Sequence, residues 1–72
     1  MKTVLTNQEA ILLLLYAGDH PKDTISNLKE MQEELTSDEQ DLLRLSDGLI
    51  GKLRSVSDNE FRILVRQVDE MV

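Results

Sequence analysis

One short signature occurs three times in this chain: an aliphatic residue, then Thr or Ser, then Glu three positions further on. Leu5-Thr6-x-x-Glu9, Leu35-Thr36-x-x-Glu39 and Val56-Ser57-x-x-Glu60 all carry it. It is the capping box with a hydrophobic staple. The hydroxyl accepts from a first-turn N–H, the carboxylate reaches back to the cap N–H, and the leading aliphatic side chain packs one turn in. Pro21 adds a fourth start, because proline suits the first turn of a helix. Four helix starts within 72 residues predict an all-α chain: a compact four-helix domain of short helices, with residues 1–72 forming a single domain. The first two signatures also align downstream, LTNQEAILLLL against LTSDEQDLLRL, and Gly18 and Gly48 keep the same offset. Two helical hairpins related by duplication would explain this. Independent caps explain it more simply, since capping boxes recur by physical necessity.

The first helix is expected to begin near Asn7. Ile11 to Leu15 is a continuous apolar run that periodicity alone cannot tell from a buried strand. The capping box, the leucine content and Gly18 as a C′ residue favour helix. A helix apolar nearly all round belongs at the centre of the fold. The second helix, from Pro21 to about Leu35, has a narrow apolar face of Ile25, Leu28, Met31 and Leu35. The third is expected to start at Thr36. It aligns Leu42, Leu45, Leu49, Leu53 and Val56 in one stripe, flanked by Leu43 and Ile50. Ser46 falls inside that arc, where its hydroxyl can bond the carbonyl of Leu42. Gly48 and Gly51 each cost about 1 kcal/mol in a helix interior, and Asp47-Gly48 could form a turn. The stripe keeps its phase across both glycines, so one unbroken helix is expected. The fourth helix carries Phe61, Leu64, Val65, Val68 and Met71 on one side, and Arg62 and Arg66 on another within reach of Asp69 and Glu70.

Composition narrows the function. With no Cys, neither a disulfide nor a thiolate metal site is available, and with one Tyr, one Phe and no Trp the core must be aliphatic. Fourteen acidic against 8 basic residues give a formal charge of −6. That sign disfavours bare nucleic acid and anionic membrane surfaces and favours a basic protein as partner. The longest apolar run, Ala10 to Ala17, is far too short to span a bilayer. Met1-Lys2 ahead of it faintly resembles a signal peptide. Polar Thr6 to Glu9 interrupts that pattern, and Asp19-His20-Pro21 stands where a cleavage site would be, so a cytoplasmic location is expected.

No catalytic, metal or cofactor constellation stands out. His20 is the one histidine, and it reads as an exposed loop residue or helix cap. No phosphate loop, nucleophile elbow or zinc spacing is present. From Glu30 to Asp41 the acids are Glu30, Glu33, Glu34, Asp38, Glu39 and Asp41, without Lys or Arg. They form either a solvated face that also favours the start of the third helix, or a docking face for a basic partner. Calcium fits poorly, because these acids sit on helices and not in a Gly-containing ligand loop. A helix-turn-helix reading of the last two helices fails on charge: Asp58, Glu60, Asp69 and Glu70 surround Arg62 and Arg66.

The order of motifs is nevertheless distinctive: Leu5-Thr6-Asn7-Gln8-Glu9, the apolar run to Tyr16, a helix with Ile25 and Leu28, Asp38-Glu39-x-x-Leu42, then Lys52-Leu53-x-x-Val56-Ser57-Asp58-x-Glu60-Phe61. Over residues 4–62 this resembles the small transposon-transfer assisting proteins of Gram-positive bacteria. The chain departs from them in having Leu5 where an aromatic residue is common, and in extending the last helix through Ile63 to Val72. The resemblance implies a setting among the conjugative-transfer genes of a mobile element and supplies no catalytic residue. The expected function is a non-enzymatic accessory protein of a conjugative transposon, acting by protein–protein contacts on a transfer component. The alternative is an acidic regulator that, as a DNA mimic, occupies a basic DNA-binding protein. A small enzyme is the third and weakest reading. For the partner surface, if Ile11, Leu12, Leu14 and Leu15 point inward, the helical period turns Leu13 and Tyr16 outward. Ile63 is turned outward on the last helix by the same argument. These three, with Glu30, Glu33, Glu34, Asp38 and Asp41, are the candidate partner surface.

Overall fold

The first capping box forms completely. Thr6 Oγ1 accepts from the N–H of Glu9 at 3.2 Å, while the Glu9 carboxylate accepts from the N–H of Thr6 at 2.9 Å. It starts α1, Asn7–Tyr16. The other helices are α2, Pro21–Glu33, α3, Gln40–Leu53, and α4, Asp58–Met71. This computed structural model describes residues 4–71, without the side chain of Met71. Met1, Lys2 and Val72, and the inward placement expected of the Met71 side chain, therefore lie outside the described residues. Among the described residues there is no strand, and the architecture is the expected all-α four-helix one.

The other two boxes are each half made. At Thr36 only the carboxylate half forms: Glu39 accepts from the Thr36 N–H and hydroxyl, at 3.2 and 3.0 Å. The Thr36 hydroxyl is thereby turned away from the helix. The chain makes one separate turn, closed by Glu39 N–H to the Thr36 carbonyl, and α3 begins only at Gln40. At Ser57 the hydroxyl half forms, accepting from the N–H of Glu60 at 3.2 Å. α3 then runs unbroken through Gly48 and Gly51, with no residue at positive φ. Ser46 is fully buried inside it and donates to the carbonyl of Leu43, three residues back, and not to that of Leu42. The same hydroxyl accepts from Gln32 Nε2 at 2.7 Å, so α2 satisfies the one polar group that α3 turns inward.

α1 is the central element and packs against each of the other three helices. Ala10, Leu12 and Leu13 of α1 meet Leu28 of α2, Leu49, Ile50 and Leu53 of α3, Val56, and Phe61, Leu64 and Val68 of α4. The radius of gyration is 11.6 Å, close to the ~11 Å of a compact chain of this length. Gly18 does not close α1 in a left-handed conformation: the C-cap is Ala17 in an extended one. Glycine is needed at 18 for space, since a Cβ there would lie 2.6 Å from Cβ of Asp23. Its N–H donates to Thr24 Oγ1 at 2.9 Å, and Asn27 Nδ2 donates to the Tyr16 carbonyl at 3.0 Å. The C-terminus of α1 is thus capped by side chains of α2.

Candidate protein-docking surface

The phase of α1 decides what the molecule presents outward, and it turns on Glu9. This carboxylate is buried. It is anchored by its own capping box and by an ion pair with Lys52 Nζ on α3. Burial alone would raise the Glu9 pKa. The Lys52 hydrogen bond and charge and the hydrogen bonds at Thr6 outweigh it, so the carboxyl is held below the usual carboxylate range. Gly48 leaves room for this arrangement, since a Cβ at that position would come within 3.3 Å of Glu9 Oε2. With Glu9 turned inward, the residue one turn later is turned inward too.

That residue is Leu13, and it is 0% exposed. The expectation that Leu13 faces a partner is therefore corrected: it belongs to the core. Tyr16 is half-buried and packs against the core rather than standing clear of it. The residues that face outward are Ile11 and Leu15, at 52% and 72% exposed, which had been expected inside. Ile63 is exposed on α4 as expected, at 53%, but lies outside the groove that Ile11 and Leu15 line.

Ile11 and Leu15 form one wall of a groove of about 400 Å³ between α1 and α3. Buried Leu12 reaches its floor, Leu42 and Leu45 supply the opposite wall, and Gln8 and Asp41 are its polar members. Thr6, Gln8, Glu9, Asp41, Arg44 and Leu45 line an adjoining depression, so the two share Gln8, Asp41 and Leu45. A third depression, beside α4, is more polar and includes Arg62, Arg66, Asp19 and Asp69. Of the candidate acids, Glu30, Glu33, Glu34, Asp38 and Asp41 are all exposed, and Asp41 is the one that lines the apolar groove. Gln8 was the available signal for the groove: it lies at i−3 and i−7 from Ile11 and Leu15, marking their stripe as the wet side of α1.

His20 is the N-cap of α2, but its side chain caps nothing. Its Nδ1 lies 3.6 Å from Asp58 of α4, both groups being exposed. Among the described residues no three of His, Cys, Asp and Glu converge as metal ligands. No helix there is long and apolar enough to cross a membrane.

Comparison with known families adds the setting. A family model described as "Putative transposon-transfer assisting protein" matches residues 5–65. The chain belongs to that family. The match runs from the staple residue Leu5 to Val65 in α4, and so takes in all three capping boxes and both walls of the groove. The transposon-transfer assisting family is named for help given to a transfer process, and not for a reaction. No curated protein and no solved structure matches the chain.

Proposed function

We propose that this protein is a non-enzymatic accessory factor of a conjugative transposon, and that it acts by binding a protein of the transfer apparatus through the α1–α3 groove. The observation that carries the reading is the exposure of Ile11 and Leu15 over a floor of Leu12. Single exposed apolar residues are ordinary. Two of them, one turn apart and facing Leu42 and Leu45 across a cleft, form a contiguous apolar surface of the kind that marks an interaction site. A small helical chain that assists a process and presents such a cleft works by holding another protein. We place that encounter in the cytoplasm.

The test is complementation in a host carrying the element. The gene is deleted and supplied in trans as wild type or as the double variant Ile11→Ser, Leu15→Ser, and transfer frequency is counted. Both positions are exposed, so the variant keeps its helical circular dichroism. The expected result is loss of transfer with the fold intact. Full complementation by the folded double variant would rule out this surface.

A further inference from the structure

We infer that the occupant of the α1–α3 groove is an amphipathic helix of the partner protein, with aliphatic anchors about one turn apart and Lys or Arg beside them. This rests on the docking function proposed above and adds the chemistry of the partner. The shape comes first. Ile11 and Leu15 are spaced i, i+4 along α1, and Leu42 and Leu45 are spaced i, i+3 along α3. Two rows of aliphatic side chains, one on each helix over a buried leucine, receive apolar residues that recur at a similar helical spacing. A helix also carries its own backbone hydrogen bonds into the cleft. That matters here, because the apolar walls offer few polar atoms to satisfy an extended strand.

Charge complementarity selects the flanks. Asp41 lines the groove, and Asp38 and Glu39 lie within one turn before it, at the entrance to α3. Glu33 and Glu34 close α2 immediately upstream. Arg44 stands on the side of the adjoining depression, and Lys52 is already engaged by Glu9. The α3 entrance is therefore negative, and a cation next to the partner's anchors meets attraction there, while an anion meets repulsion. The same charges argue against a second copy of this chain. A second copy would bring the same Asp41 and the same net charge of −6, and not the cation that this entrance favours.

The probes are two synthetic peptides of about four helical turns. Both carry Leu at i, i+4 and i+7; one has Lys at the flanking positions and the other Glu. Binding is followed on the full chain by amide shift mapping and fluorescence anisotropy. The Lys peptide is expected to bind saturably and to shift residues of the groove. Leu15→Ser is expected to weaken it about tenfold. Asp41→Lys should reverse the preference between the two peptides. Equal affinity for both peptides at the groove would overturn the charge selection while leaving the docking function standing. Shifts confined to α4, or no binding of the Lys peptide, would overturn the occupant. So would sedimentation showing a dimer that Leu15→Ser dissociates, since the groove would then belong to a second copy. Loss of transfer in Ile11→Ser, Leu15→Ser alongside such a failure would show that the groove works with a partner of different chemistry.

Discussion

Leu13 and Leu15 are the same residue type two positions apart on one helix, and they should respond to truncation very differently. Leu13 is fully buried on the helix that packs against the other three, whereas Leu15 is 72% exposed. Leu→Ala removes three carbons, worth about 2.4 kcal/mol of transfer energy at ~0.8 kcal/mol each when the site is fully buried. A cavity in the core adds to this, because neighbours relax only partly, and the total is about 3–4 kcal/mol. Helix propensity nearly cancels, since Ala and Leu are both good helix formers. Leu15→Ala should therefore change stability by less than about 0.5 kcal/mol. A chain of this size has a total stability of only about 4–11 kcal/mol, so Leu13→Ala consumes a large part of it. Urea unfolding followed by circular dichroism would read this as a midpoint lower by about 3–4 M, at a slope near 1 kcal/mol per M. If the two variants unfold within about 0.5 kcal/mol of each other, or if Leu15→Ala is the weaker, α1 is rotated from the phase described here. Both the core and the groove would then have to be redrawn.

The glycines should separate by the space around them. Gly51→Ala meets nothing within 4 Å inside α3 and should stabilise by about 0.5–1 kcal/mol, read as a higher thermal midpoint. Gly18→Ala forces a Cβ against Asp23 and should destabilise in the same assay. Glu9→Gln removes the charge that Lys52 pairs with and should cost about 1–2 kcal/mol at neutral pH. Because the folded-state pKa of Glu9 is lowered, its stabilisation is complete above the unfolded carboxylate pKa and is lost as pH falls through the folded one. The gap between wild type and Glu9→Gln should therefore close in acid, and a gap that stays constant down to pH 2–3 would argue against the pair. With a net charge of −6 the protein should give no shift of duplex or single-stranded DNA at physiological salt; a salt-sensitive shift would point to Arg62 and Arg66.

How far the sequence could be read follows from which rules were local. Capping boxes and a stripe that spans four turns need only neighbouring residues. Those signals placed four helices, carried α3 across Gly48 and Gly51, and set Leu49, Leu53, Phe61 and Val68 inside. Even at Thr36 the motif marked the right corner, although one acceptor captured both Thr36 donors and the helix started later. The docking face was misread because α1 has apolar residues on every side, so its own pattern cannot fix its rotation. What fixes it is Glu9, a charged residue that a local rule sends to solvent. It turns inward because Lys52, far along the chain, comes to meet it, and because Gly48 leaves it room. Once Glu9 is inside, Leu13 must follow, and Ile11 and Leu15 are left on the surface with Gln8. The position of the groove therefore follows from contacts far apart in the chain, the core packing of Leu12 and Leu13 together with the Glu9–Lys52 pair.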